Sequence, residues 1–234
     1  MFLSNKLYCI VLLLCALRGS SQTNSFITSI SIDTDSGITN YKVPALSHKF
    51  PTRRFVVPAI MILYGFSALE AQGLATLNDE LKEEIWLEKA HPKQTFDNYL
   101  QFAPAAAVYA LNALGIKGRH GMIERSSIFI LSNVFTLSSV SLIKKTTNQL
   151  RPDGSAYNSF PSGHTAEAFA CAEFLRQEYR DVSPWIGIAG YAVATTTGYL
   201  RMYNNKHWLS DIVAGAGIGI ASTKLAYWLM PKIK

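Results

Sequence analysis

The 234 residues carry 22 lysines and arginines against 16 aspartates and glutamates, so 16% of the chain is charged while 49% is hydrophobic. That balance excludes a disordered or solvating chain, and the length leaves room for one domain or one membrane bundle. Three cysteines, two of them (Cys9 and Cys15) near the start, exclude a disulfide scaffold and a zinc–cysteine centre. The net charge of +6 suits an anionic partner, either a phosphate ester or an acidic lipid surface; no nucleic-acid partner is expected.

Lys6 is followed by the uncharged run Leu7–Leu17. This run is too short to span a bilayer and has the length of a secretory apolar core. With small Gly19 and Ser21 behind it, residues 1–21 are expected to be a secretory signal peptide. Residues 22–54 read as a polar tail, rich in Ser, Thr, Asn and Asp in their first half.

Six apolar segments follow. Phe55–Leu77 is the first, with Pro58 near its start and Glu70 inside it. The charged stretch 78–97 sets Leu81, Ile85 and Trp86 at helical spacing, as in a surface amphipathic helix. Asn98–Ile116, Ser126–Ile143 and Val182–Leu200 are uncharged runs long enough to cross a bilayer as helices. Ser162–Glu178 is apolar on one face, and Trp208–Met230 completes the set. No β-alternation and no fixed repeat is present, so the expected fold is an all-α bundle of six helices. Gly215 and Gly219 form a G-x-x-x-G pair that permits close helix approach.

The chemically informative residues fall at three joints. They are Lys144 to Arg151-Pro152, then Pro161-Ser162-Gly163-His164, then Arg201 to His207 and Asp211. Up-down topology puts all three at one end of the bundle, between helices 3 and 4 and helices 5 and 6. His207 and Asp211 are four apart, on one helical face, so the carboxylate can hold one imidazole nitrogen and leave the other free as a nucleophile. Pro161-Ser162-Gly163-His164 opens a helix whose amides can hold an anion. Arg151 and Arg201 offer planar forks for phosphate oxygens and Lys144 a point charge.

These three motifs resemble the signature of the type 2 phosphatidic acid phosphatase superfamily: K-x6-RP, PSGH and SR-x5-H-x3-D. The likeness covers residues 55–231, taken here as a catalytic domain running over 55–234. One departure is Leu200, which stands where the family has a serine whose hydroxyl supports the phosphate. The resemblance implies that His207 attacks phosphorus and becomes phosphohistidine, with Asp211 orienting it. His164 would protonate the leaving alcohol and then activate water. Lys144, Arg151, Ser162, the Gly163 amide and Arg201 would bind the phosphoryl oxygens, with no metal or organic cofactor.

The substrate so implied is a phosphorylated membrane lipid. The run Asp97–Lys117 and the joint Arg201–Asn205 look like the bacterial lipid A phosphatase branch, which ranks lipid A first and undecaprenyl diphosphate second. A soluble periplasmic acid phosphatase and a non-enzymatic lipid-binding bundle are the alternatives. The expected location is the bacterial inner membrane with the cup facing the periplasm, or else a membrane-associated periplasmic protein. Basic residues at 42–54 and 117–125 set the far end on the cytoplasmic side. A cleaved leader with six full spans would place the cup inward, so the first segment is the one whose crossing is in question.

Overall fold

A computed structural model describes residues 50–87 and 92–233, so the expected signal peptide and most of the polar tail lie outside the described residues. Residues 50–234 form one unit. Among the described residues there are eight α-helices and no strand. A 3-10 turn at Thr52–Phe55 leads into α1 (Val56–Ser67), and α2 (Gln72–Lys82) runs on into a π turn at Glu83–Leu87. The short α3 (Asp97–Leu100) precedes α4 (Ala103–Ala113). Four longer helices follow: α5 (Met122–Thr147), α6 (Gly163–Tyr179), α7 (Pro184–Tyr203) and α8 (Leu209–Ile233). Helices α1 and α4–α8 correspond to the six apolar segments.

Two of those segments are not single rods. Phe55–Leu77 bends by 89° between Ser67 and Gln72, and Glu70 stays exposed in the bend. The arm before the bend runs antiparallel to α8: Phe50 stacks edge-on against Trp228, and Gly65 lies against Ser210 and Ala214. Beyond the bend α2 lies against the N-terminal end of α8, where the Asn78 side chain donates to Ser210 Oγ (3.0 Å) and accepts from the Ser210 amide (3.1 Å). Leu81, Ile85 and Trp86 are half-buried along this element, as the amphipathic spacing anticipates. Asn98–Ile116 breaks at Gln101–Phe102, and α4 restarts with Pro104 in its first turn, a position proline favours. At 11 residues α4 is about 16 Å long, well short of a hydrocarbon core of roughly 30 Å.

Helix α8 is the hub, and glycine makes it so. A Cβ at Gly215 would come within 2.6 Å of the Ser162 carbonyl oxygen, and one at Gly219 within 2.1 Å of that of Ala166. Both therefore face α6 at backbone distance, as the G-x-x-x-G spacing predicts. Gly217 faces α1 instead, where a Cβ would sit 2.7 Å from the Pro58 oxygen. A third side meets α5 through Ser132 and Thr223, whose hydroxyls are 2.6 Å apart. Gly219→Ala is expected to lower stability by about 1–3 kcal/mol through overpacking. Thermal unfolding in detergent measures it against Gly73→Ala, whose added Cβ meets nothing. Equal midpoints for the two variants would refute the tight seam.

Helices α5 and α8 are long and apolar enough to cross a membrane, and the bent α1–α2 pair counts as a third span if taken together. Along α5 the side chains of Ile123, Ile130, Val134, Leu137 and Leu142 are all exposed. On α1 the same holds for Val56, Val57, Ile60 and Leu63. Apolar stripes of this extent need an apolar solvent, so the protein is a membrane protein.

The bundle end away from α2 is closed by paired charge. The buried Glu178 carboxylate takes Arg125 Nε (3.2 Å), the His120 ring (2.7 Å), the His120 amide (3.1 Å) and Tyr227 Oη (2.7 Å).

Candidate active site

The opposite end is a polar cup built from the joints α5–α6 and α7–α8, with α2 and α3 at its rim. Helix α5 stops because Asn148 adopts a left-handed conformation (φ 47°), which asparagine tolerates better than most residues. The chain then folds back over the helix end. Lys144 Nζ donates to the carbonyl oxygens of Asn158 and Ser159, and Arg151 Nε donates to Asn158 Oδ1 (2.8 Å). Two motif cations thus also hold the loop that carries the second motif.

Ser162 is the N-cap of α6, its Oγ accepting from the Thr165 hydroxyl (2.9 Å) and amide (3.4 Å). With both bonds accepted, the Ser162 hydroxyl keeps its own proton to donate. The Ser162 amide donates to the Asp211 carbonyl oxygen (3.0 Å), which joins the start of α6 to the start of α8. A Cβ at Gly163 would meet only Val140, at an ordinary 3.7 Å. Internal packing therefore does not require glycine at 163.

Asp211 is fully buried and one of its oxygens, Oδ2, gathers three donors. These are Ser159 Oγ (2.5 Å), the Trp208 amide (3.0 Å) and His207 Nδ1 (3.2 Å). A carboxylate accepts only, so Nδ1 of His207 carries the hydrogen and Nε2 is left with its lone pair. Burial presses the His207 ring down to about 4 from an ordinary 6.5; the Asp211 bond and charge oppose this, and Lys144 and Arg201 add to it. The ring stays neutral at neutral pH. The turn before it depends on Asn205, which is left-handed as well (φ 57°).

Arg201 ends α7 and is buried, with Nη1 donating to Asp97 Oδ2 at 2.6 Å. Its Nε has no partner. His164 is half-buried one residue inside α6, its Nε2 2.9 Å from Asn98 Oδ1. Burial and then Arg201 push its pKa down to about 4; Asp97 favours the charged form, and Arg151 and Lys144 disfavour it. Leu200, in place of the family serine, is buried.

All eight residues singled out from sequence (Lys144, Arg151, Ser162, Gly163, His164, Arg201, His207 and Asp211) are thus at one end of the bundle. Asp97, Asn98, Asn158 and Ser159 were not assigned roles from sequence. Their partners are remote in the chain, and polar residues of these types in a loop or helix start read as caps and turns. The run Asp97–Lys117 offers in sequence a likeness to the lipid A phosphatase branch and no role for a particular side chain.

An all-helical membrane bundle with this constellation at one end defines a class. The profile of the PAP2 superfamily matches residues 126–234, the part that holds all three motifs. Among curated relatives, the lipid A 1-phosphatase of Porphyromonas gingivalis is 39% identical over 164 residues, 69% of this chain and 37% of that one. The lipid A 4'-phosphatase of Bacteroides thetaiotaomicron is 38% identical over 74 residues, 32% of each. The chain thus spans about a third of the length of the curated relatives it matches. The crystal structure of Aquifex aeolicus LpxE is 27% identical, with a TM-score of 0.49, covering 65% of this chain and 95% of that one.

Proposed function

We propose that the protein is a phosphatase of a phosphorylated membrane lipid, with lipid A as first substrate and undecaprenyl diphosphate as second, working through a phosphohistidine on His207. The observation that carries this reading is the buried Asp211 carboxylate fixing Nδ1–H of His207, so that a neutral ring offers Nε2 into a cup of three cations. The lipid comes from the exposed apolar stripes of α1 and α5, which argue against a soluble acid phosphatase, and from the names of the curated relatives.

Chemistry in such a cup proceeds in two balanced steps. His207 Nε2 forms a bond to phosphorus while the bond from phosphorus to the lipid oxygen breaks, and that oxygen takes a proton from His164. Lys144, Arg151 and the open Nε of Arg201 meet the charge on the phosphoryl oxygens, joined by the Ser162 hydroxyl and the Gly163 amide. Glycine at 163 suits that contact because a side chain there would stand between amide and phosphate. In the second step water bonds to phosphorus, His164 takes its proton, and the P–N bond breaks to release phosphate. The incoming phosphate also offsets Arg201, Arg151 and Lys144, the charges that add to burial in lowering the His164 pKa. Substrate binding therefore helps to load the acid with its proton.

A phosphate-release assay on purified protein in detergent, against lipid A, undecaprenyl diphosphate and phosphatidate, tests the reading. Release from lipid A is expected to continue in EDTA, since three cations, a hydroxyl and an amide fill the role of a metal. Activity lost to chelator and restored by a divalent ion would overturn the metal-free mechanism, and no release from any lipid would overturn the function.

The same reading sets the cup on the periplasmic side of the inner membrane. Leaving out Lys144, Arg151 and Arg201 of the site, the cup end holds Lys82, Lys93, Lys145 and Lys206, whereas Arg53, Arg54, Lys117, Arg119, Arg125 and Arg180 belong to the other end, the bias found on cytoplasmic sides. Tyr157, 62% exposed in the loop of the cup, is the position to probe. In a Cys171→Ser background, Tyr157→Cys should react with a membrane-impermeant thiol reagent in intact spheroplasts. Reaction only after lysis would put the cup in the cytoplasm.

A further inference from the structure

The two histidines of the cup are held by different chemistry. His207 leans on a carboxylate, Asp211, whereas His164 leans on a neutral amide, Asn98. Asn98 lies on α3, outside the segment matched by the superfamily profile and 66 residues before His164. We propose that Asn98 is a positioning residue for His164, fixing its ring and tautomer with an uncharged acceptor so that the imidazole can both give and take a proton. This inference rests on the phosphatase reading above.

The geometry supports a built contact and not a passing one. Helix α3 and the segment before it are tied to the end of α7, and a local contact closes α3 on itself. Asp97 receives Arg201 at 2.6 Å, and the Gln101 side chain donates to the Asn98 carbonyl oxygen at 2.7 Å. Just before α3, the buried Asn204 side chain clasps the Gln94 backbone at both its amide (2.8 Å) and its carbonyl (2.7 Å). Asn98 is thus carried on a support anchored to the end of α7, next to the arginine of the third motif. Its Oδ1 accepts only, so Nε2 of His164 carries the hydrogen and Nδ1 is the atom that exchanges protons.

The choice of amide over carboxylate has a functional sense. The charged groups facing His164 are Arg201 from α7, Asp97 from α3, Arg151 from the α5–α6 loop and Lys144 from α5. A second carboxylate touching the ring would hold it as imidazolium and oppose the water-activating half-reaction, for which it must be neutral. For the nucleophile the requirement is reversed: phosphorylated His207 is positively charged, and Asp211 compensates it. One orienter stabilises a cation, and the other leaves proton affinity untouched.

The test uses full-length protein in detergent with lipid A as probe and phosphatidate as second probe. Asn98→Ala should lower kcat by about tenfold to a hundredfold with KM nearly unchanged, less than the roughly 10²- to 10⁴-fold of general acid–base catalysis as a whole, because His164 is still present but loosely held. Asn98→Asp, almost isosteric, should move the basic limb of the kcat–pH profile up by about one unit or more, because a carboxylate at hydrogen-bond distance favours imidazolium. Protection from thermal unfolding by vanadate shows in each variant that the cup is assembled. Wild-type protein that hydrolyses either lipid, with Asn98→Asp keeping both the rate and the basic limb of the wild type, would overturn the inference. A basic limb unmoved in an Asn98→Asp protein of reduced rate would overturn it too, since that marks a merely structural contact. Wild-type protein that releases no phosphate would instead overturn the phosphatase reading itself.

Discussion

Replacing His207 by Ala is expected to reduce phosphate release by on the order of 10^4-fold or more, the scale seen when a covalent nucleophile is removed from a preorganised site. The cup would still bind phosphate through Lys144, Arg151 and Arg201, so affinity for vanadate should fall far less than kcat. Rapid acid-labile labelling from a radiolabelled substrate should disappear altogether. His164→Ala should also be slow on a lipid, yet accept label from a phosphate ester with a good leaving group, because that half-reaction then needs no proton. Wild-type turnover in His207→Ala would remove the nucleophile assignment.

The second large effect is Asp211→Asn, which keeps shape and removes a charge. An amide in that buried position can present its NH2 to His207 Nδ1, which moves the ring hydrogen to Nε2 and leaves no lone pair for attack. It also leaves phosphohistidine without a counter-charge. A fall in kcat of about 10^3- to 10^4-fold is expected, similar to wrong-tautomer substitutions in triads of unrelated enzymes. Ser159 and the Trp208 amide donate to the same carboxylate oxygen, so part of the damage should appear as lost stability as well. A variant within tenfold of wild type would mean that Asp211 is a packing group only.

Much of this site was legible because its motifs are local and chemically unusual. Four adjacent residues set the entry of α6, and four-residue spacing sets His207 on Asp211; neither needs knowledge of the fold. That the joints share one end followed from counting helices, and the structure has α5–α6 and α7–α8 meet there. The helix breaks were harder. Ala68, Leu69, Glu70 and Ala71 contain no glycine or proline, and the 89° bend follows from where α1 and α2 find their partners on α8. Pro104 did mark the start of α4, but an unbroken apolar run concealed it. The supporting contacts were out of reach for another reason. Asp97 to Arg201 spans 104 residues and Asn98 to His164 spans 66, and nothing local in an Asp-Asn pair tells an orienter from a helix cap.

The seam between α8 and α6 has a consequence for how this chain can change. Asp211, Gly215 and Gly219 recur every four residues, so one stripe of α8 carries both the carboxylate and the two points of backbone contact. Each residue is about 100° around the axis, and rotating the helix to admit a larger side chain at either glycine would swing Asp211 by the same angle, away from His207. Fit and reactivity share a single angular setting. Sequence drift should accordingly be cheap on the outward faces of α1 and α5 and slow along this stripe, and new substrate preferences should arise from the rim, where α2 and α3 can be rebuilt without turning the spindle on which the reaction depends.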